Sequence, residues 1–185
     1  VDSDKFHPPE IKRNNKKYLV FGRVSEVKRV VEIVQAFKSA DLTDASLTIV
    51  GKALTKEYAE RVKLSTGNVS NINWIDEDIA YEKVPALYRE YDILINATPG
   101  SLDKTIVEAS MSGLLVMASS GGYGRMLGDD LKYLNPKDQN DLVTAIKKVS
   151  TMESESINNT ADEIRKKINQ NHSLAGNVLK IYNLL

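Results

Sequence analysis

Cysteine is absent from the chain, and histidine occurs only as His7 and His172. Without thiols there is no disulfide framework and no thiolate metal centre, and two histidines so far apart give no basis for an imidazole-rich one. An excess of charge of one sign is also missing, because 25 basic residues balance 25 acidic ones. No overall field draws the chain to nucleic acid or to an anionic membrane, so any positive site must be local. No apolar run nears the roughly 20 residues that span a bilayer, and the opening residues lack the charged, apolar and small-residue order of a signal peptide. A cytoplasmic setting is expected, with work at the inner face of a membrane left open. Gly-x-Gly-x-x-Gly and Walker loops are missing too, which argues against a dinucleotide dehydrogenase and against a P-loop kinase or phosphatase.

What is present is an ordinary globular balance, 185 residues of which 42% are hydrophobic and 27% charged, enough for one domain with one core. Residues 1–17 carry Pro8-Pro9, a Lys/Arg cluster and Asn14-Asn15 and read as a linker; residues 18–185 read as the domain. Tyr18 to Phe21 is a short apolar run stopped by Gly22, the pattern of a strand buried on both faces. Val27, Val30, Val31, Val34 and Phe37 follow at helical spacing. The alternation repeats. Leu47 to Val50, Ile72 to Ile75, Ile93 to Ile95 and Leu114 to Met117 read as further strands, and Lys132 to Leu134 as a weak sixth.

Between them, helices are expected around Tyr58, Val62 and Leu64, around Val84 to Tyr91 with Pro85 in the first turn, and from Ile106 to a cap at Gly113. Others are expected around Leu142 to Val149, around Ile164 to Ile168, and from Leu174 to Leu185. Strands alternating with helices imply a doubly wound parallel sheet of six strands, Rossmann-like, with helices on both faces.

Open sheets of this class bind ligands beyond the carboxyl ends of their strands where strand order reverses, commonly between the first and fourth. That rule selects Gly22 to Arg29 and Asn96 to Glu108. Lys28 and Arg29 fall at the start of a helix, where the dipole disfavours cations by about 0.3–1 kcal/mol each and an anion would relieve them. Backbone N–H groups there, joined by the Arg23 and Lys28 side chains, would cradle a phosphate; the bland alternative is two solvated cations with Glu26 as local partner. Glu108 lies among Ile106, Val107 and Ala109, a costly place for a carboxylate unless it is hydrogen-bonded. It is either a ligand for a diol such as ribose or a solvent-facing residue. Trp74 is either core or a stacking surface, and Gly121-Gly122 with Arg125 either borders a partner domain or is a plain loop.

These residues together resemble the C-terminal, donor-binding domain of the retaining GT-B glycosyltransferases of glycosyltransferase family 4. Phe21-Gly22-Arg23-Val24 through Lys28 is similar to that family's Gly-Arg-Leu-x-x-x-Lys diphosphate loop. Leu47 to Gly51 resembles the strand ahead of its base-binding region. Ile72 to Asp76 resembles the next strand, with Asp76 where the family has Gly. Val107-Glu108-Ala109 with Ser112-Gly113 resembles Leu-Glu-Ala-x-x-x-Gly, and Val1-Asp2 with Phe6 resembles the end of the segment joining the two domains. The pattern departs at Glu-x-Phe-Gly-x-x-x-x-Glu, because Gly100 stands in place of its first Glu and Asp103 in place of its Gly.

The resemblance implies one half of a GT-B fold, and a hexosyltransferase that uses a nucleotide sugar without a metal or other cofactor and retains configuration. Arg23 and Lys28 would hold the diphosphate and serve catalysis. Gly22, Ser101, Asp103, Lys104, Thr105 and Glu108 would bind the donor, with Ser101 and Lys104 toward the phosphates, Asp103 toward the sugar and Glu108 on the ribose. The partners implied are the nucleotide-sugar donor, the N-terminal domain of the same protein, and an acceptor glycan or lipid-linked sugar, with no nucleic acid and with any membrane association made through the other domain. This half alone is expected not to turn over. Alternatives from other classes are a non-catalytic nucleotide-binding module and a GT-B sugar epimerase.

Overall fold

The computed structural model describes residues 1–10, 16–100 and 102–172. Five short apolar runs form the sheet: β1 (Lys17–Phe21), β2 (Ser46–Val50), β3 (Ile72–Ile75), β4 (Ile93–Asn96) and β5 (Leu115–Ala118). Every residue of β4 and β5 is buried, as expected for strands covered on both faces. All pairs are parallel, in the order β3-β2-β1-β4-β5. Tyr18 lies beside Ile93 and Leu19 beside Leu94, so β1 and β4 are neighbours although two strands separate them in the chain.

The helices are α1 (Val30–Ala40), α2 (Lys56–Thr66), α3 (Val84–Tyr88), α4 (Lys104–Met111), α5 (Gly121–Gly124), α6 (Gln139–Ser150) and α7 (Ser154–His172). Crossovers between parallel strands are right-handed, and β1 to β2 runs opposite to β4 to β5, so α1 and α4 cover opposite faces. α2 and α6 pack beside α1, and α7 beside α4. Pro85 sits in the first turn of α3, where its missing N–H costs nothing. Gly113, at φ +82°, ends α4 as expected of a left-handed cap.

The expected sixth strand is not one. Lys132 to Leu134 belongs to a 3₁₀ helix, Asp129–Leu134, whose buried residues Leu131 and Leu134 are three apart and share one face. The sheet therefore has five strands among the described residues. The helix expected from Val27 begins instead at Val30: Glu26–Lys28 forms a 3₁₀ turn, and Arg29 at φ +52° breaks the path between them. Val27 is left exposed, and so is Leu64 on α2. The stretch Ser119 to Gly122 leads into α5, with the Ser120 hydroxyl accepting from the Tyr123 N–H at 3.3 Å. The helix expected from Leu174 to Leu185 lies outside the described residues.

In the segment ahead of β1, Phe6 is buried, with its ring 6.0 Å from that of Tyr81 and 6.2 Å from that of Tyr88. Beyond β2, Gly51 lies against the end of β1. A Cβ at Gly51 would fall 2.0 Å from the Gly22 carbonyl oxygen, and its φ is +148°. Gly51→Ala is thus expected to lower stability by about 2–4 kcal/mol. An unchanged urea midpoint for that variant would show that the contact between the two loops is dispensable.

Candidate functional site

Because β1 and β4 adjoin, the chains leaving them run side by side, and the two stretches selected from the sequence meet. Gly22, at φ +113°, turns the chain off β1, and a Cβ built there would lie 3.8 Å from Thr105 Cγ2. The Lys28 ammonium forms a salt bridge to the Asp103 carboxylate, with both side chains about four-fifths buried (23% and 20% exposed). Asp103 caps α4, accepting from the Thr105 N–H at 3.1 Å. Asn96, the last residue of β4, donates its amide to Asp103 Oδ2 at 3.3 Å and to Thr105 Oγ1 at 2.9 Å, and its own oxygen accepts from the Thr98 N–H at 3.0 Å. Burial alone would raise the Asp103 carboxyl. The hydrogen bonds from Lys28, Thr105 and Asn96, with the charge of Lys28, outweigh it and hold the group below the usual carboxylate range.

One turn along α4, Glu108 is almost fully buried, at 3% exposure. It does not face solvent. Its carboxylate accepts from the Tyr81 hydroxyl at 3.1 Å and the Tyr88 hydroxyl at 3.5 Å, and pairs with Lys104 Nζ at 3.2 Å. A carboxylate offers about four lone-pair positions, and these three donors take up most of them. Lys104 also lies 4.1 Å from the centre of the Tyr81 ring. Loss of water would lower the Lys104 pKa, but the Tyr81 hydroxyl and the Glu108 carboxylate more than offset this and raise it. Burial first, then the charge of Glu108, pushes the Tyr88 phenol well up.

At the start of α1, two of the backbone N–H groups expected to meet an anion have a partner within the protein. The N–H groups of Val30 and Val31 donate to the Tyr58 hydroxyl, at 3.0 and 3.3 Å. Glu26 pairs with Arg61 rather than with Lys28. Arg23 is exposed and has no hydrogen-bond or ion-pair partner among the described residues. Gly22, Arg23, Lys28 and Asn96 line a small depression floored by Val20, Phe21, Val30, Ile33 and Ile95.

Gly100, at φ +100°, would place a Cβ in open space; its carbonyl accepts from the Gly121 N–H at 3.0 Å, which ties this loop to α5. Ser101 lies outside the described residues. Trp74 is half-buried against the core, and its indole N–H donates to the Gly51 carbonyl at 3.0 Å. Among the described residues, no group of three or more His, Cys, Asp or Glu side chains could hold a metal ion, and no helix is long and apolar enough to cross a membrane.

Asn96, Tyr81, Tyr88 and Tyr58 were not marked as site residues by the sequence. Asn96 could have been found, since it ends β4 on the selected loop. Tyr81 and Tyr58 carry no local signal, because they reach the site only once their helices are packed.

An open parallel sheet wound in opposite directions from the β1/β4 junction, with helices on both faces, is a Rossmann-like fold. The chain belongs to the glycosyl transferases group 1 family, whose pattern it matches over residues 2–171. Its fold is similar to the C-terminal domain of a group 1 glycosyl transferase, LpcC, from Francisella tularensis, with a TM-score of 0.77 and 19% identity over 94% of this chain and 99% of that one. A glycosyltransferase from Rickettsia africae is similar at TM-score 0.80 and 20% identity, over 100% of this chain and 54% of that one. The Anabaena protein Alr3699/HepE, solved in complex with UDP and glucose, is similar at TM-score 0.79 and 17% identity, over 100% of this chain and 55% of that one. The chain thus spans about half the length of the latter two. No curated protein matches it by sequence.

The Asp103 carboxyl, depressed in the folded state, adds stability that is complete above its unfolded pKa and is lost as pH falls through the folded value. Urea midpoints of the natural protein and of Asp103→Asn should therefore differ at neutral pH, begin to approach each other below about pH 3.9, the ordinary carboxylate value, and differ least once pH is below the depressed folded value. A difference that does not change as pH falls would mean that the charge of Asp103 contributes nothing to stability.

Proposed function

We propose that this chain is the donor-binding half of a two-domain glycosyltransferase, holding a nucleoside-diphosphate sugar whose hexosyl group passes to a glycan or glycolipid acceptor. The observation that carries the reading is the adjacency, across the β1/β4 junction, of the basic stretch Gly22 to Lys28 and the buried carboxylate Glu108. Arg23 and Lys28 suit a diphosphate. Glu108, fixed by two phenols, suits a vicinal diol such as ribose. Gly22 permits close approach of the ligand, Lys104 and Thr105 border the same place from the α4 side, and Ser101 is assigned to the phosphates. Asp103 bridges the two stretches.

Transfer needs the growing charge of the departing diphosphate stabilised as the anomeric bond breaks, and cations gathered around the bound diphosphate supply that without a metal. Arg23 and Lys28 have that role here. Configuration is retained, with the donor phosphate guiding the acceptor hydroxyl on the same face of the sugar. The acceptor site and any contact with a membrane belong to the other domain.

Titration calorimetry with uridine, guanosine and adenosine diphosphates and their glucose conjugates tests the reading; uridine diphosphate is the first probe, since the Anabaena protein is described with UDP and glucose. Arg23→Ala and Lys28→Ala should each weaken diphosphate binding about 10- to 100-fold, the worth of a charge-assisted bond. Glu108→Gln should weaken nucleoside diphosphate while sparing inorganic pyrophosphate. Binding of nucleosides and diphosphates alike, indifferent to these changes, would favour a non-catalytic module. Full-rate sugar transfer by the 185-residue chain alone would contradict the placing of the acceptor site elsewhere.

A further inference from the structure

The Lys28–Asp103 pair carries an inference that rests on the donor-site reading and deepens it. Lys28 is a long, flexible side chain on the 3₁₀ turn after β1. Asp103 is short and held from behind, by the Thr105 N–H at 3.1 Å and the Asn96 amide at 3.3 Å. Of the two partners, the lysine is the one free to move. Arg23, on the same side of the depression, is exposed and unpaired among the described residues. The two cations proposed to meet the diphosphate are thus unequal: one is open and one is already neutralised.

We infer that Asp103 is an internal counter-anion that occupies, on Lys28, the position a donor phosphate would take, so that a diphosphate engages both cations only by displacing it. A nucleoside monophosphate has one phosphoryl group, which Arg23 can take without breaking the pair. A diphosphate reaches across to Lys28 and must compete with the carboxylate. Asp103 therefore limits affinity for the diphosphate more than for the monophosphate, which makes it a specificity-determining residue and eases release of the diphosphate after transfer. The carboxylate stays charged at neutral pH, since its contacts hold its pKa down.

Asp103→Asn removes the charge and keeps a side-chain oxygen for the Thr105 N–H, because Asn and Asp cap helices about equally well. Titration calorimetry on the full chain with uridine, guanosine and adenosine mono- and diphosphates reads the effect. The variant should bind its preferred diphosphate on the order of tenfold more tightly, the release of one charge-assisted bond, with a smaller change for the monophosphate. Asp103→Ser, also a good cap, should act in the same direction and guards against misfolding of the first variant. Equal or weaker diphosphate binding by both folded variants would overturn the inference, since the carboxylate would then be positioning Lys28 or contacting the sugar. If the natural protein binds diphosphate and Lys28→Ala weakens it, that failure leaves the donor-site reading standing. If no nucleotide binds to any of the proteins, the donor-site reading fails and the counter-anion inference falls with it.

Discussion

The lateral pairing of β1 with β4 is the constraint on which the rest of the molecule depends. With β2 on one side of β1 and β4 on the other, the winding of the sheet reverses there, and right-handed crossovers send α1 and α4 to opposite faces. The connections diverge, and a crevice opens between them at the carboxyl ends of the strands. Lys28 and Asp103, 75 residues apart in the chain, meet only because of that reversal. Neighbouring loops are then fastened to the same edge. Gly51 lies against the Gly22 carbonyl, Trp74 holds the Gly51 carbonyl at 3.0 Å, and Asp76 accepts from the Ala53 N–H at 3.0 Å.

The charged groups at this edge are costly where they stand, and each is compensated. A carboxylate in the apolar neighbourhood of Glu108 would be strongly destabilising without partners. Two phenols and Lys104 supply them, and because Lys104 is one turn back on α4, the pair follows from helical geometry alone. Asp103 combines two roles, ending the exposed backbone of α4 and neutralising a lysine from the opposite loop. Asp103 stands at the N-cap of α4, where the helix dipole favours negative charge.

The parallel strands and most helices were legible because strands buried on both faces read as continuous apolar runs, and because Gly22, Gly51 and Gly113 mark their ends. The sixth strand failed for a definite reason: Leu131 and Leu134 share one face of a 3₁₀ helix, and a three-residue window around Tyr133 cannot distinguish that from a short strand. The start of α1 was misplaced because Val27 fits the helical period, while the left-handed Arg29 that interrupts it carries no sequence mark. The two loops of the site could be selected from topology alone. Their contacts could not, since the pairing of Lys28 with Asp103 and the reach of Tyr58 and Tyr81 depend on how distant helices settle on the sheet.

The role of Tyr58 alters how an anion could be held here. In many α/β domains, backbone N–H groups at the first helix bind phosphate, and their positions are fixed by the fold. Here the Tyr58 hydroxyl takes the N–H groups of Val30 and Val31, so the α1 side of this edge offers an anion chiefly its side chains. Side chains can be paired and released, as backbone dipoles cannot. In a chain whose formal charges cancel, the local field for an anion then depends on which lysines are neutralised at rest, and Lys28 and Lys104 both are. On the donor-site proposal, Arg23, which has no partner among the described residues, is the first of the three to meet an incoming phosphate, and Lys28 follows as its pair with Asp103 opens.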